Sequence, residues 1–157
     1  MYKYKDAIES VAGYDREYRS PQRPKFEFAG PYDLFPESGN GSLTVSSDNS
    51  WPHAWPLSDR QGVYIIMNEQ LGVCYVGKAS MGNCIGSRLS SYFGYESETD
   101  RRCKIYHREG WTEKPRYVMC VAVPEDSPFE APALEEFLIR ELAPPDNKRG
   151  VPPAVPY

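Results

Sequence analysis

Nowhere in its 157 residues does the chain hold the roughly 18 to 20 consecutive apolar residues that a membrane-spanning helix needs, which excludes a helical membrane protein. Met1-Tyr2-Lys3-Tyr4-Lys5 runs into charged sequence with no hydrophobic signal core, so a cytoplasmic location is expected. Cysteine is scarce and scattered. Cys74, Cys84, Cys103 and Cys120 lack paired spacing, which argues against a disulfide framework and for reduced, partly buried thiols. Cys103 and His107 are four apart, as on a helix, but without a second such pair they do not make a structural zinc site. An overall basic surplus is missing too, since the net charge is -4. The distribution is uneven, however. Between Lys78 and Arg116 there are eight Lys or Arg against five Asp or Glu, whereas Tyr117 to Pro145 holds one Arg against six acids. A local basic excess suits either a phosphate partner or a solvated surface helix.

What is present is an ordinary globular composition, 40% hydrophobic and 25% charged, in a length that fits one domain. Residues 1–60 read as a partly irregular N-terminal extension. Tyr4 to Val11 suggests a short helix, and Gly13, Pro21, Pro24, Pro31 and Pro36 interrupt the stretch after it. Arg16, Arg19, Arg23 and Lys25 alternate with Tyr14, Tyr18, Phe26 and Phe28. That mixture suits either a substrate-binding or partner-binding arm that tracks a nucleic acid, or an extended segment packed on the domain. Ser38 to Ser50 reads as a loop, and Trp51 to Trp55 as an aromatic cover over a sheet edge.

The chemistry begins at Gly62. Val63 to Met67 and Val73 to Val76 are β-branched and aromatic bursts separated by a short polar turn, the pattern of a β-hairpin. Each burst holds a tyrosine, Tyr64 and Tyr75, and the second runs into Gly77-Lys78. A polar loop, Ser80 to Asn83, precedes a helix expected over Ile85 to Phe93, on which Arg88 and Tyr92 share one face. Glu96 to Arg108 is a charged excursion with helical character. Arg116 to Val123 is a nearly continuous apolar run bounded by prolines and reads as a buried strand.

Ser127 and Glu130 have capping-box spacing, and they lead into a helix through Leu142, stopped by Pro144-Pro145. Leu134, Phe137, Leu138, Ile139 and Leu142 form its apolar arc. Two carboxylates, Glu135 and Glu141, fall inside the edges of that arc, and periodicity does not choose between them. A buried carboxylate needs a cation or a hydrogen-bonding partner. Residues 150–157 read as an irregular tail.

Gly62-Val63-Tyr64, Tyr75-Val76-Gly77, Arg88, Glu135 and Asn147, in that order, resemble the signature of the GIY-YIG nuclease superfamily. The wording Tyr-Val-Gly-Lys-Ala, Arg-Leu-Ser-Ser-Tyr-Phe, Leu-Glu-x-x-Leu-Ile-Arg and Pro-x-x-Asn is closest to the nuclease domain of nucleotide-excision-repair incision proteins. The resemblance covers residues 61–149. Its connection from Lys78 to Arg88 is a few residues longer than in the repair proteins, and the chain is too short for their further domains.

The resemblance implies an α/β (α+β) fold in which a small, three-stranded, mainly antiparallel sheet is flanked by helices near 85–93 and 128–142. It also implies a divalent-metal-dependent DNA endonuclease, with RNA as an alternative substrate. Glu135 would hold one Mg²⁺ or Mn²⁺. Tyr75 would take the proton of the attacking water while Tyr64 holds the water or phosphate, with Lys78, Arg88 or the metal lowering the phenol pKa. Arg88 would fork onto phosphate oxygens, Tyr92 would orient the phosphate or phenol, and Asn147 would fix the local backbone or the metal-side geometry. The alternatives are a non-cleaving nucleic-acid-binding module of the same fold, or a nuclease toxin or effector held in check by an inhibitory partner protein.

Overall fold

The computed structural model describes residues 1–35, 55–95, 103–106 and 108–147. The expectations for Ser38 to Ser50, for Trp51 to Ala54, for most of the 96–108 excursion with His107, and for the tail lie outside the described residues. Ten elements are described in the order α1 (Tyr4–Tyr18), β1 (Glu27–Asp33), β2 (Gly62–Met67), β3 (Val73–Ala79), α2 (Ile85–Leu89), β4 (Phe93–Tyr95), β5 (Cys103–Ile105), a 3₁₀ turn, β6 (Tyr117–Ala122) and α3 (Glu130–Leu142). The architecture is mixed α+β. An antiparallel sheet has the order β1-β6-β2-β3, and β4 and β5 form a separate two-stranded ribbon. No described helix is long and apolar enough to cross a membrane.

The central strands are apolar along their whole length because both faces of the sheet are covered. Val63, Ile65, Met67, Met119 and Val121 pack under α1 and α3, while Tyr64, Ile66, Val118 and Cys120 face α2, the ribbon and Leu34. Alternation by two thus divides one continuous run between two cores. In the hairpin, Asn68 accepts from the amides of Gln70 at 3.0 Å and Gly72 at 2.7 Å, which closes the turn. The left-handed residue there is Leu71, at φ 58°, rather than the neighbouring glycine.

The sheet has four strands, not three, because Glu27–Asp33 from the N-terminal segment pairs with β6. Helix α1 is also longer than expected and passes through Gly13. A helical glycine costs roughly 1 kcal/mol, but Ala7 and Val11 are buried here and Tyr14 packs on Phe26 and Phe137. Helix α1 and strand β1, upstream of 61, therefore build directly onto the same core.

Arg16, Arg19, Arg23 and Lys25, the basic residues that alternate with aromatics here, pair with carboxylates of the chain itself. Buried Arg19 donates to Glu130 at 2.8 Å and to Asp15, Arg23 bonds Asp126 at 3.2 Å, Lys25 meets Asp15 at 2.6 Å, and Arg16 pairs with Glu17 at 3.6 Å. The Glu130 carboxylate is committed to Arg19, so the capping box expected with Ser127 does not form and α3 begins without a side-chain cap.

Candidate active site

The site lies at the outer edge of the sheet. β3 is the last strand, and a cleft of about 230 Å³ opens against it, lined by Tyr64, Tyr75, Lys78, Arg88 and Glu135 together with Ser80, Met81 and Asn83. Five of the seven residues expected from the sequence thus line one cavity. Side chains alternate across β3, so Tyr75 joins the core beneath α2 while Val76 joins the one beneath α3. By the same alternation Lys78 falls on the α3 side, where its ammonium pairs with Glu135. The cleft therefore takes its phenols from one face of the sheet and its ion pair from the other.

Tyr64 lies on β2 directly opposite Gly77. A Cβ at Gly77 would come within 2.5 Å of the Tyr64 phenol carbon and oxygen, so the ring crosses the strand where no side chain stands. Gly62 is equally constrained, because a Cβ there would strike the Val121 carbonyl on β6. Both glycines of the motif are required by close approach, one to a ring and one to a neighbouring backbone.

The third phenol arrives by a different route than periodicity suggests. Helix α2 stops at Leu89, and Ser91 and Tyr92 continue in tighter turns, their amides bonded to the carbonyls of Arg88 at 3.1 Å and Leu89 at 2.9 Å. The helix is shorter than the expected 85–93 because Phe93 is already paired with Ile105 in the ribbon. Tyr92 nevertheless reaches both other tyrosines. Its hydroxyl accepts from Tyr64 at 3.4 Å and donates to Tyr75 at 3.3 Å, longer than a full hydroxyl hydrogen bond. Trp111 closes the cluster edge-on to Tyr75 and Tyr92, at centroid distances of 6.0 and 5.9 Å.

Burial pushes the Tyr64 and Tyr75 phenols well above the ordinary tyrosine range, and the bond and proximity to Tyr92 add to it. Arg88 opposes this but is outweighed. The lowered phenol pKa expected from neighbouring cations is therefore corrected in sign for the protein itself: desolvation of a phenolate exceeds what one guanidinium returns. Arg88 is raised above the ordinary guanidinium range, with the charge of an ionised Tyr64 the largest cause; at neutral pH the guanidinium is charged, as guanidiniums are, beside neutral phenols.

Asn147 is buried and does not line the cleft. Its side chain accepts from the Val76 amide at 2.8 Å and donates to the Val76 carbonyl at 2.7 Å, while the Asp146 amide bonds the Cys74 carbonyl at 3.0 Å. Two residues after α3 thus occupy the free edge of β3 just before Gly77. This is the backbone-fixing alternative of the two expected for Asn147. Asp146 also accepts from the Thr112 amide at 3.0 Å, tying down the segment that carries Trp111.

The ambiguity between the two carboxylates of α3 is resolved by position. Glu135 faces the cleft with its side chain 16% exposed, and Glu141 is exposed to solvent elsewhere. Among the described residues no group of three or more His, Cys, Asp or Glu converges. A single carboxylate in a cleft with room for several waters fits Mg²⁺, which keeps much of its hydration shell, better than it fits an ion needing a protein cage. Sequence reasoning did not single out Trp111, Met81 or Asp146 for the site, since none of them stands in a periodic or motif position.

Scanned against models of protein families, curated proteins and solved structures, the chain gives no match.

Proposed function

We propose that the protein is an endonuclease of the GIY-YIG type that hydrolyses nucleic-acid phosphodiesters, DNA in the first instance, with one Mg²⁺ or Mn²⁺ held by Glu135. The observation that carries this is the convergence of Tyr64, Tyr75, Lys78, Arg88 and Glu135, which are spread over more than seventy positions, on one cleft at the edge of β3. Each has a bland explanation when taken singly. A phenol pair, a guanidinium and a carboxylate–ammonium pair in one cavity have the parts that phosphodiester hydrolysis needs.

The scissile phosphate would lie against Arg88, whose fork matches two phosphate oxygens and stays charged throughout. Tyr64, fully buried and held across Gly77, would turn its one hydroxyl proton from Tyr92 to an anionic oxygen of the substrate. Tyr75 is the more accessible phenol, at the end of the hydroxyl chain from Tyr64 through Tyr92, and suits the exchange of a proton with water. Lys78 shares the Glu135 carboxylate and places a second positive charge where charge develops on the phosphate. The cation would supply Lewis-acid stabilisation of the leaving oxygen.

Incubation of the purified protein with supercoiled plasmid and with RNA, in Mg²⁺ or Mn²⁺, tests the proposal. Nicking that stops with EDTA and falls at least about a hundredfold in Glu135→Gln is expected, with Glu141→Gln as an active control. Equal cutting by wild type and Glu135→Gln would overturn it. Binding without any cutting would favour the non-cleaving module.

A further inference from the structure

We infer that Met81 is an apolar wedge that enters between stacked bases beside the scissile phosphate, so that the enzyme selects positions where a duplex is easily unstacked. This rests on the proposed nuclease function and adds to it a residue that reads deformability rather than sequence.

Three observations meet at Met81. It is 93% exposed, the most exposed large apolar side chain among the described residues. It also lines the same cleft as Tyr64, Tyr75, Arg88 and Glu135, rather than standing on a remote surface. Finally, it holds a backbone conformation that its residue type disfavours. The turn from Ser80 to Asn83 is closed by the Asn83 amide on the Ser80 carbonyl at 3.2 Å, and both central residues are left-handed, Met81 at φ 54° and Gly82 at φ 84°. Such a turn favours Asn or Gly at its first central position. Gly82 suits the second central position, but Met81 does not suit the first, although nothing buries its side chain in return.

A single exposed apolar residue alone needs no explanation. One that is also held left-handed, on the rim of a site built for a phosphate, stores strain where a ligand would collect its benefit. Methionine is among the apolar side chains that enter between base steps and partly unstack them. It is long, unbranched and polarizable, which suits a slot between bases of any identity. Asn83 donates to the Ser80 carbonyl at 3.3 Å, a second tie that stiffens the turn behind the wedge. Its consequence is a preference for soft positions, pyrimidine–purine steps, mismatches or abasic sites, over stiff A-tracts, because the unstacking cost depends on the sequence being deformed.

The test uses the full chain and a duplex with a fluorescent adenine analogue, quenched when stacked, at the preferred cleavage position mapped from sequenced products, or at a pyrimidine–purine step if no cleavage occurs. Binding is measured with Ca²⁺ in place of Mg²⁺, so the readout does not depend on cutting. Met81→Asn relieves the left-handed strain and removes the apolar tip, and should melt no lower than wild type, while Met81→Leu retains an apolar tip. Wild type and Met81→Leu should brighten the analogue on binding and Met81→Asn should not. In Mg²⁺, Met81→Asn should cut intact duplex about tenfold more slowly while keeping most of its rate on a mismatched or abasic duplex. No brightening with bound wild type, no duplex binding at all, or an equal loss on both substrates would overturn the wedge. Brightening by a protein that cuts nothing would support the wedge and sink the nuclease reading alone.

Discussion

The ring of Tyr64 crosses β3 at Gly77, so close that a Cβ there would stand 2.5 Å from its phenol oxygen. Hydrogen at this position is therefore what allows a buried phenol to lie across the strand. Gly77→Ala should cost about 1–3 kcal/mol by overpacking and should displace the phenol from the cleft. Thermal melting should show that modest loss. Plasmid nicking at a temperature where the variant is fully folded should fall much further than stability does, and retained nicking would separate the ring's position from activity.

The raised phenol pKa values of Tyr64 and Tyr75 make a prediction about alkaline stability. Unfolded phenols ionise near about pH 10, whereas the folded ones hold their protons beyond it. Above that pH the folded state binds more protons than the unfolded state, so stability falls as pH rises. The contribution is fully present below about pH 10 and lost above it, at no more than about 1.4 kcal/mol per phenol per pH unit, and less for half-buried Tyr75. Melting temperatures between neutral and strongly alkaline pH should turn downward there. The double variant Tyr64→Phe, Tyr75→Phe should flatten the descent, and an unchanged slope would place the titration elsewhere.

Arg19 is one of four cations that composition alone could assign to a nucleic-acid arm, and it is the most deeply committed to the fold. Its side chain is 3% exposed, and its guanidinium bonds Glu130 at 2.8 Å and the Pro24 carbonyl at 2.7 Å and stacks 4.1 Å from the centre of Phe26. Arg19→Ala leaves the Glu130 carboxylate without its main buried partner and should cost about 3–5 kcal/mol. Exposed Arg16→Ala should stay within about 0.5 kcal/mol. DNA affinity of folded Arg19→Ala should match wild type. A loss of affinity without a loss of stability would restore the binding-arm assignment.

How far the sequence is legible depends on whether the signal is local. The hairpin, the β6 strand and α3 are set by apolar runs and breakers, and they supply Tyr64, Tyr75, Lys78 and Glu135 at nearly the expected bounds. Strand β1 is not legible. Glu27 and Phe28 are exposed, and Gly30-Pro31 interrupts it, as suits an edge strand whose pairing is decided by β6 rather than by its own residues. The end of α2 falls earlier than helical spacing suggests because Phe93 fits a helical apolar face but is captured by the ribbon, a long-range pairing that such spacing cannot report. Choosing Glu135 over Glu141 likewise needs Lys78, fifty-seven positions away. The direction of the phenol shifts requires burial, which residue types do not carry.

Asn147 stands outside the cleft, yet it acts on the strand that builds the cleft. Its two bonds to Val76, at 2.8 and 2.7 Å, satisfy both polar groups of a residue on the open edge of β3, between Tyr75 and Gly77. Asn147→Ala leaves a buried amide and carbonyl unpaired and should cost about 1–3 kcal/mol. Asn147→Asp keeps an acceptor for the amide but sets a carboxylate oxygen against the Val76 carbonyl, so it should be no better than the alanine variant at neutral pH. Both should raise the hydrogen-exchange rate of the Val76 amide more than that of Ile65 in the sheet interior. If Asn147 acts only through this edge, nicking should weaken by raising KM and lowering kcat together as Tyr75 loses its fixed position, and the dependence on Mg²⁺ concentration should stay that of wild type. A shift in the Mg²⁺ requirement would instead place Asn147 on the metal side of the site.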